Sequence, residues 1–211
     1  MKNLIIVNGT INNYEFYLPW VKGYDQIICA DGGVTHARKL GLTPTQIVGD
    51  LDSASSEDII FFQEQGIPIQ KFSKRKDKTD THLALEYAFE TDPTSITIIG
   101  GLGTRFDHSL ANIHLLALSL EKKIPAVIIN EYNYICMVND TIELLSENGS
   151  IVSLLSFTPK VTGVSTQGLS YPLQDAILFS ASSHGISNEI IQTSAKVSIQ
   201  EGILLIIQAR E

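Results

Sequence analysis

The sequence predicts an α/β domain built on a parallel sheet, followed by an all-β sandwich. Short all-apolar runs alternate with helical patterns up to about residue 130, which implies parallel strands joined by right-handed crossovers. Beyond that point the helical patterns stop and strand-length apolar stretches follow one another. Turn signals at Asn139-Asp140, Asn148-Gly149, Thr158-Pro159 and Glu201-Gly202 separate them. The expected domains are residues 1–135 and 136–211.

Leu4 to Val7 reads as a strand buried on both faces and closed by Asn8-Gly9. Ile27 to Ala30 is a second, ending in Asp31-Gly32-Gly33, and a helix from Val34 to Leu40 follows until Gly41 and Pro44 stop it. Ile47-Val48 is a third strand, leading into Gly49-Asp50-Leu51-Asp52-Ser53. A helix over Ser55 to Gln65, with Gly66 as terminator, leads to a strand from Ile67 to Phe72. The spacing of Leu83, Leu85, Tyr87 and Ala88 predicts a helix over 79–90 with a wide apolar face. Ile96 to Ile99 is a strand running into Gly100-Gly101-Leu102-Gly103, Asp107 to Lys122 the longest helix, and Ala126 to Ile129 a further strand. Strand-like runs then cover Tyr134–Val138, Ile142–Leu145, Ile151–Phe157, Val161–Thr166, Ala176–Phe179, Ala195–Ile199 and Ile203–Gln208.

With 211 residues, 44% hydrophobic and 18% charged, the chain has the composition of an ordered globular protein. A formal charge of -8 argues against nonspecific nucleic-acid binding, which needs a basic surface, and is compatible with a cationic small molecule or metal-bridged phosphates. Cys29 and Cys136 are isolated thiols without metal-ligand spacing or a disulfide framework. No apolar run suits a membrane span, and the one near Met1 is too short for a signal peptide; a cytoplasmic protein is expected.

Four polar clusters follow predicted strands, where open parallel sheets bind ligands. In Asp50-Leu51-Asp52, two carboxylates close together repel unless a cation lies between them, as in half of a Mg²⁺ site. The alternative is a strand end followed by a helix cap at Asp52 or Ser53. Gly32-Gly33 before a helix admits a phosphate to backbone amides, or simply makes a tight turn. In Lys74-Arg75-Lys76-Asp77-Lys78-Thr79-Asp80, Asp77 could cap the next helix, and the lysines could be solvated, while Asp80 could join the acidic pair on a metal. The stretch from Gly100 to His108 lacks the third glycine of a dinucleotide fingerprint and reads as an anion loop, with Arg105 as a fork-shaped phosphate donor. His36, His82 and His114 fall on helices and read as structural or exposed, whereas His108 belongs to the glycine-loop cluster. Neither a zinc set nor a Ser-His-Asp order is visible.

These clusters resemble those of the bacterial thiamine pyrophosphokinase family. The matching residues are Ala30-Asp31-Gly32-Gly33, Gly49-Asp50-Leu51-Asp52-Ser53, Lys76-Asp77-Lys78-Thr79-Asp80, and Arg105-Phe106-Asp107-His108 with Asn112. Gly168-Leu169-Ser170-Tyr171-Pro172-Leu173 and Gly185-Ile186-Ser187-Asn188-Glu189 continue the match, in the family's order. The resemblance implies Mg²⁺-dependent transfer of pyrophosphate from ATP to the thiamine hydroxyl, giving thiamine diphosphate and AMP, in a homodimer with sites at the subunit interface. It implies that Asp50, Asp52 and Asp80 serve the magnesium and phosphate centre. Asp31, Gly32, Gly33, Lys76, Asp77, Thr79 and the Arg105, Asp107 and His108 loop fall on the nucleotide side. Tyr171 takes the position of an aromatic that stacks on thiamine, a Trp in some relatives, and Ser187-Asn188 belong to the vitamin site. The lone Trp20 matches no family motif and reads as packing. Transfer to another alcohol, and a non-catalytic sensor of nucleotide or thiamine, are the rival readings.

Overall fold

The computed structural model describes residues 1–73 and 77–210. They form two compact units, Met1–Glu131 and Tyr132 onward. The junction falls before residue 135 because the strand Asn133–Val138 is in antiparallel register with Leu204–Ala209 along its whole length, so Tyr134 and Ile135 already belong to the second unit.

The first unit contains β1 (Lys2–Ile6), β2 (Gln26–Ala30), β3 (Gln46–Gly49), β4 (Ile69–Lys71), β5 (Ser95–Ile99) and β6 (Ala126–Ile129). They pair in parallel in the order β6-β5-β1-β2-β3-β4. Leu4, Ile5, Ile6, Ile28, Ile47, Ile98 and Ile99 are wholly buried, as expected for strands covered by helices on both faces. Each such side chain contributes about 1.5–3 kcal/mol of apolar burial. The helices are α1 (Tyr14–Tyr17), α2 (Gly33–Lys39), α3 (Ser56–Glu64), α4 (Asp80–Glu90) and α5 (Phe106–Glu121). Helix α2 packs on α3, and α4 on α5. The chain steps from β1 through β4 in one direction, then returns to β5 on the other side of β1. That reversal opens a crevice at the carboxyl ends of β1 and β5.

Helix α1 has no counterpart in the sequence reading, because four residues are too few to show a helical period. It is held instead by Asn13, whose side chain accepts from the amides of Glu15 and Phe16, and by the buried Tyr17, whose hydroxyl donates to Glu131 at 2.9 Å. Thr79, not Asp77, caps α4, its hydroxyl accepting from the His82 amide at 3.2 Å. Ser55 precedes α3 without a side-chain cap bond.

The second unit holds β7 (Asn133–Val138), β8 (Thr141–Leu145), β9 (Ile151–Ser156), β10 (Lys160–Gln167), β11 (Ala176–Phe179), β12 (Asn188–Glu189), β13 (Ser194–Ser198) and β14 (Leu204–Ala209). Antiparallel pairing arranges them as β12-β9-β14-β7 and β11-β10-β13-β8. Val152, Leu154, Leu204 and Ile206 of the first group meet Leu144, Val161, Val164 and Val197 of the second in one core. Alternating burial along β10 and β14 is the mark of two sheets packed face to face. The predicted α/β domain followed by a β-sandwich is the observed fold. Among the described residues no helix is long and apolar enough to cross a membrane. Both cysteines are buried, and burial pushes the Cys136 thiol up to about 12, so they act as packing groups.

Candidate active site

A cavity of about 520 Å³ opens at the carboxyl edge of the parallel sheet, within the first unit. Its walls come from the segments after β1 (Val7 to Thr10), β2 (Asp31), β3 (Asp52, Ser53) and β5 (Gly100 to Arg105), with Thr79 and Asp80 at the start of α4 and His108 on α5. The volume suits a nucleotide-sized ligand. Three of the four sequence clusters thus supply cavity residues through Asp31, Asp52, Arg105 and His108, and the Lys74–Asp80 cluster reaches it through Thr79 and Asp80.

The acidic group is larger than the sequence suggests. Asp31, Asp50 and Asp52 each offer a carboxylate oxygen, and these oxygens lie within 4.8 Å of one another. Asp80 stands close by: a side-chain carbon at Gly49 would lie 2.9 Å from Asp80 Oδ1 and 3.1 Å from the Asp31 amide. The resemblance puts Asp31 on the nucleotide side; the fold brings it to the acidic pair. Its Oδ2 accepts from the Ser53 hydroxyl, while Oδ1 is buried without a hydrogen-bond partner among the described residues. A buried acceptor left without a donor costs about 1–3 kcal/mol, and more for a charged group. Burial pushes the Asp31 carboxyl up; the Ser53 hydroxyl and the Gly32 amide oppose that shift, and the charges of Asp80 and Asp50 add to it. A hard divalent cation would supply the missing partner and relieve the repulsion, so the donor set fits magnesium.

Two backbone positions here are unusual. Asp31 at φ 49 and Leu51 at φ 66 hold left-handed conformations that non-glycine residues adopt only under constraint. The helix-cap reading of Asp52 and Ser53 does not hold, since α3 begins at Ser56. Gly32 and Gly33 lie outside the cavity wall and have packing reasons: a side-chain carbon would collide with the Asn8 carboxamide at Gly32 and with the Ile6 carbonyl at Gly33. Asp77 is exposed, and Lys78 is engaged by Glu86 at 2.7 Å. Lys76 lies outside the described residues.

The glycine loop is fixed from α5. The buried Asn112 amide donates to the Gly101 carbonyl at 2.7 Å, and the Ser109 hydroxyl accepts from the Gly103 amide at 3.0 Å. Arg105 is exposed and forked onto Asp107, at 3.2 Å from Nε and 2.6 Å from the terminal nitrogen. That pairing presents the planar guanidinium at the cavity rim. Arg105→Lys keeps the charge and loses the fork. Turnover with ATP is expected to fall about tenfold or more, the loss of a charge-assisted hydrogen bond. Equal rates in the two forms would make Arg105 a surface charge only.

In the second unit, Tyr171 is 74% exposed and Asn188 is 6% exposed. The Asn188 amide nitrogen donates to the Tyr171 carbonyl at 2.7 Å, and its side-chain oxygen accepts from the Tyr171 and Glu189 amides at 3.0 and 2.9 Å. Asn188 therefore fixes the backbone that displays the tyrosine ring. Ser187, at φ 56, is exposed beside it and donates its amide to the Ser153 hydroxyl.

A parallel α/β unit with carboxylates, a glycine loop and an arginine around one cavity at the sheet's switch point has the architecture of an α/β enzyme with a polar ligand site. Comparison with known proteins narrows it. Residues 19–128 match the model described as thiamin pyrophosphokinase, catalytic domain, and residues 140–204 match thiamin pyrophosphokinase, vitamin B1 binding domain. The chain is 30% identical to the thiamine pyrophosphokinase of Bacillus subtilis over 218 residues, covering 100% of both. The crystal structure of Bacillus subtilis thiamine pyrophosphokinase superposes with a TM-score of 0.91 at 26% identity, covering 100% of both chains. That of the Geobacillus thermodenitrificans thiamin pyrophosphokinase gives 0.87 at 28% identity, covering 100% of this chain and 98% of the other. The chain belongs to the thiamine pyrophosphokinase family, and its members are transferases.

Proposed function

We propose that the protein transfers pyrophosphate from ATP to the hydroxyl of thiamine, with magnesium, giving thiamine diphosphate and AMP. The observation that carries this reading is the carboxylate trio Asp31, Asp50 and Asp52, with a buried, partnerless oxygen, beside a nucleotide-sized cavity. Family membership supplies the substrates. Asp31, Asp50 and Asp52 would hold the cation, with Asp80 next to them. Bound there, magnesium would neutralise charge on the transferring phosphates.

The thiamine oxygen attacks the β-phosphorus, the bond from that phosphorus to the α–β bridging oxygen breaks, and AMP leaves with the oxygen. The hydroxyl proton passes to a carboxylate, for which Asp80 at the cavity wall is the candidate. Arg105 offers the phosphates the guanidinium edge that Asp107 does not take, and Thr79 and His108 flank them. Tyr171 stacks on the cationic thiamine ring, a contact that an aromatic face favours. We further propose a homodimer in which the vitamin-binding unit of one subunit serves the nucleotide cavity of the other.

Incubation with ATP, magnesium and thiamine tests the reaction. AMP and thiamine diphosphate are expected in equal amounts. ADP as the nucleotide product, or binding of both substrates with no AMP released, would overturn it.

A further inference from the structure

We infer that Asn8 and Ser53 form a directional hydrogen-bond relay that positions Asp31, so that its partnerless oxygen is presented to the cation site shared with Asp50 and Asp52. This rests on the magnesium reading above. The Asn8 amide nitrogen donates to Ser53 Oγ at 2.8 Å, and Ser53 Oγ donates onward to Asp31 Oδ2. A hydroxyl has one proton; with that proton on Asp31, Ser53 can only accept from Asn8, so the polarity of the relay is fixed.

The three residues follow three different strands: Asn8 after β1, Asp31 after β2 and Ser53 after β3. The relay thus ties three loops of the cavity together at the acidic cluster. Asp31 is held from a further direction by its amide, which donates to the Val48 carbonyl at 2.8 Å. With Oδ2 and the backbone fixed, Oδ1 has one orientation, and it is buried with no donor, in a residue only 8% exposed. A carboxylate constrained on one oxygen and vacant on the other is the arrangement in which an outer partner orients a metal ligand. Ser53 has no competing duty as a helix cap, because α3 starts three residues later at Ser56.

Binding of Mn²⁺, followed by electron paramagnetic resonance without nucleotide, tests the relay. Ser53→Ala is expected to weaken Mn²⁺ binding about 10–100-fold, the usual cost of losing an outer-shell partner. Asn8→Ala should weaken it less, in the same direction, and Ser53→Thr, which retains the hydroxyl, should bind as wild type. Asp50→Asn sets the reference for a damaged site. If Ser53→Ala and Asn8→Ala both bind as wild type while Asp50→Asn does not, the relay is wrong and the metal reading stands. If Asp50→Asn also binds as wild type, or wild type binds no Mn²⁺, the metal reading falls and the relay with it. Should Ser53→Ala fail to fold, Asn8→Ala against Ser53→Thr decides: equal affinity overturns the relay.

Discussion

Asp50→Asn and Asp52→Asn are expected to lower turnover by about 10²–10³-fold, the scale reached when one group that stabilises transition-state charge is removed. The fold should survive both changes. Asp50 is half-buried and Asp52 exposed, and neither caps α3, which opens at Ser56 behind Ser55. The loop bond from the Asp52 amide to Asp50 Oδ1, at 3.2 Å, needs only an acceptor, which an asparagine carbonyl also provides. Magnesium is expected to raise the melting temperature of wild type more than that of either Asn variant, because only the intact trio gains fully from the cation. Turnover and melting temperature, each with and without magnesium, check both halves. Wild-type rates in both variants, or full activity in excess chelator, would refute the metal role.

Apart from β12, two polar residues with no apolar signal, the strands of both units were legible in the sequence as apolar or alternating runs bounded by turn residues. The alternation of runs and helical periods sufficed for the parallel sheet. What the sequence hid is mostly a matter of which strands are neighbours. Asp31 belongs with Asp50 and Asp52 because β2 pairs with β3 in the register Ala30 to Val48, which sets Asp31 level with Gly49. Consecutive strands are neighbours roughly two-thirds of the time, so that grouping was open to inference from chain order. The relay through Asn8 was not, since it needs β1 beside β2 and two side-chain rotamers as well. Asn188 shows the converse: its motif resembles one of the vitamin site, while its amide is committed to the Tyr171 backbone and holds that loop. Lys78 and Asp77 carried charge in the right stretch, yet one pairs with Glu86 and the other is exposed outside the cavity wall. Charge in a loop says little about direction until the helix that follows is placed.

Tyr171→Ala is expected to weaken thiamine binding about 10–100-fold while leaving ATP binding near wild type. Loss of ring stacking is worth roughly 1–3 kcal/mol, and each 1.4 kcal/mol is about tenfold. The ring is 74% exposed and its backbone is held by Asn188, so truncation removes a presented surface without opening a core. The residues proposed to handle phosphate all lie in the first unit, and Tyr171 lies in the second. Chemistry nonetheless requires the thiamine hydroxyl to come within roughly 3–3.5 Å of the phosphorus. In the proposed homodimer that meeting occurs across the subunit interface. Asp52→Asn and Tyr171→Ala subunits, each impaired alone, should then regain activity when mixed and allowed to exchange. In a mixed dimer one site would combine an intact acidic cluster with an intact tyrosine, while the other would carry both lesions. At full exchange of equal amounts, about half of the dimers are mixed by simple chance, and each holds one sound site of two, so recovery should approach about a quarter of the wild-type rate. Exchange demonstrated by differential labelling, with no activity regained, would show that each chain completes its own site.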